Sequence, residues 1–252
     1  MNNDKTKILL FNGSPRRERS ASMRIARKFV SGITEVRTAE VEEIRISDLK
    51  IHPCMGCLSC WGRTEGTCVI GNDDMAAVKE KILAADVIVL SFPLYFFGFP
   101  GEVKVFIDRL LSMMCTYKGQ KAVPGKSFHG LRYDLSDKKL ILVSSCGYGR
   151  LDYIYDPLLT QMDCILGQGN YIALLCPQGN CMVFPDLYDK MEKYLVKYID
   201  AGRELGETNT LTEETITRLR KPPFSDRTFE ILLNRYWDSE KELAEQSKGA
   251  GT

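Results

Sequence analysis

The chain has 252 residues, 44% hydrophobic and 27% charged, with a formal net charge of +1. That size buries a substantial core, and the balanced charge gives no electrostatic case for nucleic acid or a membrane surface. No apolar run reaches the ~18 residues of a spanning helix, and Met1 to Lys7 lack the apolar segment of a secretory signal, so a cytoplasmic protein is expected.

Taken in order, Ile8 to Phe11 reads as a buried parallel strand. It stops at Asn12-Gly13-Ser14-Pro15, a turn signature. A basic, hydroxyl-rich loop follows from Arg16 to Ser22, and then a helical pattern carrying Met23, Ile25, Ala26, Phe29 and Val30. Strand, tight turn and helix in that order aim backbone N–H groups and the positive end of the helix dipole above the strand. Arg16 can fork onto an anion, and Ser14, Ser20 and Ser22 can donate hydroxyls. The stretch therefore reads as a phosphate cradle, with a merely basic surface turn as the alternative. It has no Gly-Lys-Ser/Thr and no Gly-x-Gly-x-x-Gly, so neither a Walker loop nor a dinucleotide turn fits.

Val41 to Ile46 alternates apolar and charged residues, as an exposed edge strand does. A cysteine-rich loop, residues 52–70, comes next. Asp73 to Ala84 reads as a helix capped by Asp73 or Asp74. Asp86 to Phe92 is a central strand, Pro93 to Gly101 a loop and Val103 to Met114 a helix; Ser112 to Asp137 has no period. Lys139 to Ser145 is a strand ending at Cys146-Gly147, Leu151 to Leu166 a helix, Tyr171 to Cys176 a strand, and Leu187 to Leu205 a helix. Alternating strands and helices predict a doubly wound five-stranded parallel sheet in the order 2-1-3-4-5. The division expected is residues 1–207 as the sheet domain and 208–252 as a helical C-terminal extension. There Leu211 to Arg220 and Phe224 to Gln246 read as two helices broken at Pro222-Pro223. The apolar stripe Phe229, Leu232, Leu233 and Tyr236 fits packing on its own domain and a subunit contact equally well.

In that strand order the first and third strands are neighbours, and the ligand crevice lies above the reversal between them. The cradle follows the first strand, and Pro93, Leu94, Tyr95, Phe96 and Phe97 follow the third. A flat, partly apolar ligand with a phosphate tail suits such a crevice, and flavin mononucleotide has that shape. The alternative is that the three aromatics are ordinary core.

Nine cysteines are present, four of them within 15 residues. Cys54, Cys57 and Cys60 are spaced C-x-x-C-x-x-C, with Cys68 after a further seven residues. Thiolates so spaced can surround one iron–sulfur cubane. A single zinc more often takes two separated C-x-x-C knuckles. A redox-switching thiol pair, or no centre at all, stays open. Cys115, Cys164, Cys176 and Cys181 are expected to be buried small hydrophobes. Trp61 either shields a cluster or simply packs.

Four motifs occur in order: Gly13-Ser14-Pro15-Arg16-Arg17-x-x-Ser20-x-Ser22, then Cys54-x-Gly56-Cys57-x-x-Cys60-Trp61 with Cys68-Val69-Ile70-x-x-Asp73-Asp74-Met75, then Ser91-x-Pro93-x-Tyr95-Phe96-Phe97-Gly98, then Lys104-x-Phe106-Ile107-Asp108-Arg109-Leu110. Across about residues 7 to 180 they resemble the NAD(P)H-dependent FMN reductases of the flavodoxin superfamily, and more narrowly the iron–sulfur flavoprotein branch. The resemblance implies a flavodoxin-like fold and an FMN-dependent oxidoreductase or electron-transfer flavoprotein, with NAD(P)H as a possible co-substrate. By position, Ser14, Arg16, Ser20, Ala21 and Ser22 would hold the FMN phosphate. Pro93 to Phe97 would wrap the isoalloxazine, and Ser145, Cys146, Gly147 and Tyr148 would approach its pyrimidine end. Cys54, Cys57, Cys60 and Cys68 would hold a 4Fe–4S cluster exchanging electrons with FMN. A small-molecule or protein electron partner and a homodimer or homotetramer are also implied. No side chain stands out as an acid or base. A non-enzymatic flavin-binding or redox-sensing protein remains the alternative from another class.

Overall fold

A computed structural model describes residues 5–249 other than 119, 120 and 122. Five strands form one parallel sheet: β1 (Thr6–Asn12), β2 (Ala39–Arg45), β3 (Val87–Pro93), β4 (Lys139–Ser145) and β5 (Ile172–Cys176), in the order β2-β1-β3-β4-β5. The helices among the described residues are α1 (Ala21–Val36), α2 (Met75–Ala84), α3 (Gly101–Arg109), α4 (Asp156–Leu166), α5 (Tyr188–Thr208), α6 (Glu213–Arg220) and α7 (Asp226–Gly249).

The period of two along β1 shows why the sheet is covered on both faces. Ile8 and Leu10 enter one core with α1 and α5, while Leu9 and Phe11 enter the other with α2, α3 and α4. β2 is the exposed edge, as its charges predict. β3 is buried along almost its whole length, which suits the central strand.

Two helices begin or end elsewhere than the apolar periodicity indicates. α4 starts at Asp156 rather than Leu151, because Pro157 lacks an N–H and is tolerated only in a first turn. The preceding residues turn instead, with Tyr153 at φ 62°. α3 stops at Arg109 and tightens into a 3-10 turn over Leu110–Met113. Neither Asp73 nor Asp74 caps α2 in the expected way. Asp73 accepts from the N–H of Met75 at 3.2 Å, and Asp74 from that of Lys50 at 2.6 Å.

The C-terminal extension packs back on the sheet domain. Leu219, Phe224 and Phe229 lie in the same core as α1 and α5. The Gln178 side-chain amide closes a reciprocal pair with the backbone of Phe224, receiving its N–H at 3.2 Å and donating to its carbonyl at 3.1 Å. Further along α7, Ile231, Trp237 and Leu243 are exposed. No helix of the described residues is long and apolar enough to cross a membrane.

Candidate functional site

Because all five strands are parallel, the loops after β1, β3 and β4 open on one edge of the sheet. Asn12 is level with Ser91, and Pro93 with Ser145, so β3 and β4 run on past the end of β1. The cradle therefore sits one step lower than the aromatic loop beside it.

At the cradle, the N–H of Gly13 bonds the Ser91 carbonyl at 2.8 Å. A Cβ on Gly13 would lie 2.3 Å from Val103 Cγ2, so only glycine lets the turn lie this close to α3. The Asn12 Oδ1 accepts from the N–H of Ser14 at 3.1 Å, and the Ser14 hydroxyl from the N–H of Arg16 at 3.3 Å. Ser20 caps α1 by accepting from the N–H of Met23 at 3.2 Å, and its hydroxyl meets that of Ser22 at 3.0 Å. Ser14, Ser20 and Ser22 are buried, Ala21 is half-buried and Arg16 is exposed. Glu18 is the one acid in the loop. The hydrogen bond from Arg27 holds its carboxyl below the usual range, and Arg27 and Arg45 together engage it. The loop's negative charge is thus matched elsewhere, and the α1 N-terminus with Arg16 is left electropositive.

Two buried polar atoms here have no partner: Asn12 Nδ2 and Ser91 Oγ, on facing residues of β1 and β3. Buried polar groups are nearly always satisfied, so both fit a ligand supplying the missing bonds. The apolar composition of the strands hides this signal in the sequence. Only the placing of two polar residues at the ends of otherwise apolar runs could have shown it.

The aromatic loop is a two-residue hairpin, with Tyr95 and Gly98 exchanging both backbone hydrogen bonds. Its turn residues, Phe96 and Phe97, stand at φ 47° and 64°. Such a turn ordinarily takes Asn and Gly, and two bulky residues there are strained. Phe96 is fully exposed, and Tyr95 and Phe97 are 42% and 40% exposed. They are not core. Leu94 is the exception: its side chain lies in the core with α2, α3 and α4. Phe97 stacks on Tyr148 from the loop after β4, with centroids 5.8 Å apart. A Cβ on Gly147 would meet nothing within 4 Å, so space stands open over the chain there. Ser145 and Cys146 are buried. Burial pushes the Cys146 thiol up to about 11, which favours the protonated thiol near neutrality. The structure thus brings the three expected groups of residues to one edge, with an electropositive turn at one end and exposed aromatic surface at the other. These residues fit FMN.

The cysteine loop fits its expected centre less well. Cys54 and Cys57 are exposed, Cys68 is half-buried and Cys60 is buried. Among the described residues, no group of three or more His, Cys, Asp or Glu side chains is arranged to hold a metal ion. Gly56 and Leu58 both take positive φ, and a 3-10 turn then buries Cys60, whose thiol is pushed up by burial and by the nearby Cys68, Cys54 and Cys57. No three of the four thiols stand as one metal-ligand group in this structure. Trp61 packs, donating to the Leu111 carbonyl at 3.2 Å and lying against His129 with centroids 4.8 Å apart.

What holds the loop is Arg109, a residue whose role its helix motif did not reveal. It is fully buried and paired with Asp73, and it donates to the carbonyls of His52 at 2.7 Å and Ile70 at 3.1 Å. One guanidinium thereby clasps both ends of the loop. Burial raises the Asp73 carboxyl, but bonds from Arg109 and from the N–H groups of His52 and Met75 outweigh it and hold the group below its ordinary range. Of the scattered cysteines, Cys176 and Cys181 are buried as expected, Cys115 is half-buried, and Cys164 is exposed on α4.

The chain is similar to an iron-sulfur flavoprotein of Methanocaldococcus jannaschii, 32% identical over 119 residues, 47% of this chain and 59% of that protein. It is also similar to an FMN-dependent NADH:quinone oxidoreductase of Exiguobacterium, 30% identical over 122 residues, 45% of this chain and 58% of that one. The matched stretches span 43 to 59% of the first three curated relatives, about half their length. Among solved structures, an FMN-dependent NADH-azoreductase from Bacillus anthracis in complex with FMN superposes with a TM-score of 0.57 at 18% identity, over 80% of this chain and all of that one. An NAD(P)H:quinone oxidoreductase from Methanothermobacter marburgensis does so with a TM-score of 0.59 at 16% identity, over 82% of this chain and all of that one. At such identities the superpositions establish the fold. A family model described as the flavodoxin-like fold matches residues 6–168, well over half of the chain, and the chain belongs to that family.

Proposed function

We propose that the chain is an FMN-binding oxidoreductase or electron-transfer flavoprotein that takes electrons from NAD(P)H or a protein donor and passes them to a small-molecule or protein acceptor. The observation that supports it most is the pair of unpartnered buried atoms, Asn12 Nδ2 and Ser91 Oγ, beneath a helix N-terminus and beside a strained aromatic hairpin. The names of the relatives, FMN-dependent NADH:quinone oxidoreductase and iron-sulfur flavoprotein, point the same way.

In this reading Ser14, Arg16, Ser20, Ala21, Ser22 and the α1 N-terminus bind the phosphate. Pro93, Tyr95, Phe96 and Phe97 present apolar surface to the ring, and Ser145, Cys146, Gly147 and Tyr148 border it from β4. Leu94 contributes core packing instead. Bound FMN would supply hydride and single-electron chemistry, and the protein would contribute binding, orientation and the exclusion of water. No side chain in the crevice is assigned a proton. The proposal keeps residues 1–207 as the cofactor domain and 208–252 as an extension braced against it. It also includes a homodimer or homotetramer.

Purified protein is expected to be yellow and to carry about one FMN per chain. Arg16→Ala should weaken FMN binding by ~10-fold or more, the scale of a hydrogen bond to a charged group. Colourless protein that fails to take up added FMN would overturn the proposal. FMN-loaded protein that oxidises neither NADH nor NADPH with any of several acceptors would favour a non-enzymatic sensor.

A further inference from the structure

The sheet face under α2, α3 and α4 is not closed. A cavity of about 420 Å³ lies between α3 and α4, within the range of small-molecule pockets. Its floor is Ile88, Leu90 and Leu142 of the two central strands. On β3 the two faces differ: Val89 has no exposure, whereas Ile88 and Leu90 each keep 8% in mid-sheet. One wall is Phe106 and Leu110, the other Met162 and Ile165. The aperiodic segment between α3 and β4 forms the roof through Leu131 and Leu135. The cavity thus has protein on four sides, unlike an apolar patch laid bare on a surface. It shares no lining residue with the cradle, the aromatic hairpin or the loop after β4, and Cys54 and Gly56 of the cysteine loop border it at one side.

The chemistry of the lining selects the occupant. Neither Lys nor Arg lines it; besides Asp108 its polar lining is the thiols of Cys54 and Cys164 and His129, whose ring packs on Trp61 and whose Nδ1 meets the Cys115 carbonyl at 3.3 Å. Asp108 is the lining carboxylate, and Lys104 already engages it at 2.5 Å. An anion such as a carboxylate would find no lysine or arginine there and would face Asp108; a cation would have to leave water for largely aliphatic walls. An uncharged molecule loses nothing by entering, and water gains little in a space lined by Leu, Ile, Met and Phe.

We propose that the cavity between α3 and α4 is a binding site for a small, neutral, apolar molecule. The test uses N-phenyl-1-naphthylamine, a neutral probe that fluoresces in apolar surroundings, titrated into the full chain. Saturable enhancement with one site per chain is expected. Leu110→Trp and Ile165→Trp, at half-buried positions on opposite walls, should each raise the probe's dissociation constant at least 10-fold. 1-Dodecanol should displace the probe, and dodecanoate at pH 8 should do so at least 10-fold less well. A readout on the unaltered protein covers the case in which a tryptophan variant does not fold. Cys164 lines the cavity and is exposed, so saturating probe should slow its alkylation by iodoacetamide several-fold, while exposed Cys57 reacts as before. No saturable binding overturns the proposal. So does an unchanged constant in both folded variants, equal displacement by dodecanoate, or unprotected Cys164. Probe release as the protein dimerises at rising concentration would give the cavity to a second copy and also overturn it.

Discussion

The two faces of the sheet are built on different principles. On one, α1 and α5 touch backbone to backbone. A Cβ on Gly32 would lie 2.0 Å from the Ile199 carbonyl oxygen, and one on Gly202 would lie 2.0 Å from that of Phe29. Met23, Ile25 and Phe29 of α1 have no solvent exposure at all. On the other face, α2, α3 and α4 are 10, 9 and 11 residues long and leave a cavity between them. The difference separates tasks. The tight face fixes the helix whose N-terminus forms the cradle, and an anion site needs donors that do not move. The looser face carries what must be added to the fold: the cysteine loop and the aperiodic roof.

The largest effect should come from breaking the tight face. Gly202→Val places two methyl groups where a carbonyl already stands, and no rotamer relieves a backbone clash. A loss of more than ~4 kcal/mol is expected, a large part of the ~5–15 kcal/mol that holds a domain folded. Circular dichroism melts would show it. A variant that melts like the parent would mean that the two helices do not approach as described, and the contrast between the faces would fail.

The looser face has one rigid point, the Arg109–Asp73 pair. Arg109→Met strands a buried carboxylate and should cost ~3–5 kcal/mol. The double variant Arg109→Met, Asp73→Asn should recover part of that, since no charge is left unpaired. Acid should act on the same point. Asp73 has a folded-state pKa below its unfolded value, so its contribution is present above the ordinary carboxylate range near pH 4 and is lost as pH falls below that range through the lowered folded-state pKa. Protease sensitivity of residues 52–70 should therefore rise below about pH 4 in the parent and less steeply in the double variant. Equal acid sensitivity in the two would remove Asp73 as the cause.

Much of the tight face and its cradle was legible in the amino-acid order, and the reason is locality. An apolar run, Asn-Gly-Ser-Pro and a helical stripe each declare themselves within a few residues, and the crevice follows from strand order. Arg109 was not legible, because its partner lies 36 positions away and nothing within a helix motif says which side chain will be buried. Asn12 and Ser91 were not, because an unpaired atom is a property of three dimensions. The cysteine spacing was legible as a pattern but not as a shape. Two left-handed residues, Gly56 and Leu58, decide where the thiols point, and a positive φ at leucine has no signature in sequence.

A smaller effect tests whether the aromatic hairpin is strained for a reason. Phe96 is fully exposed at positive φ and packs on nothing that would offset the strain. Phe96→Gly should raise stability by ~1 kcal/mol, the usual cost of a left-handed residue with a side chain. If the ring serves the crevice, the same variant should weaken FMN binding. Greater stability with unchanged affinity would leave the strain without a task in flavin binding.

The smallest effect belongs to the cysteine loop. Cys57 is exposed, and its thiol engages the backbone and hydroxyl of Ser59, contacts that a serine hydroxyl at 57 can also make. Exposed substitutions away from caps and buried networks stay within ±0.5 kcal/mol, so Cys57→Ser should melt with the parent. It should also load FMN equally, because the cradle and the hairpin are built without any residue of the loop. Iron counts after anaerobic purification make the outcome decisive. Flavin retained with or without iron would keep the crevice and the loop as independent units. Flavin lost together with iron in Cys57→Ser would show the thiols converging in solution on a shared centre, and the loop would then have to be redrawn as part of the site.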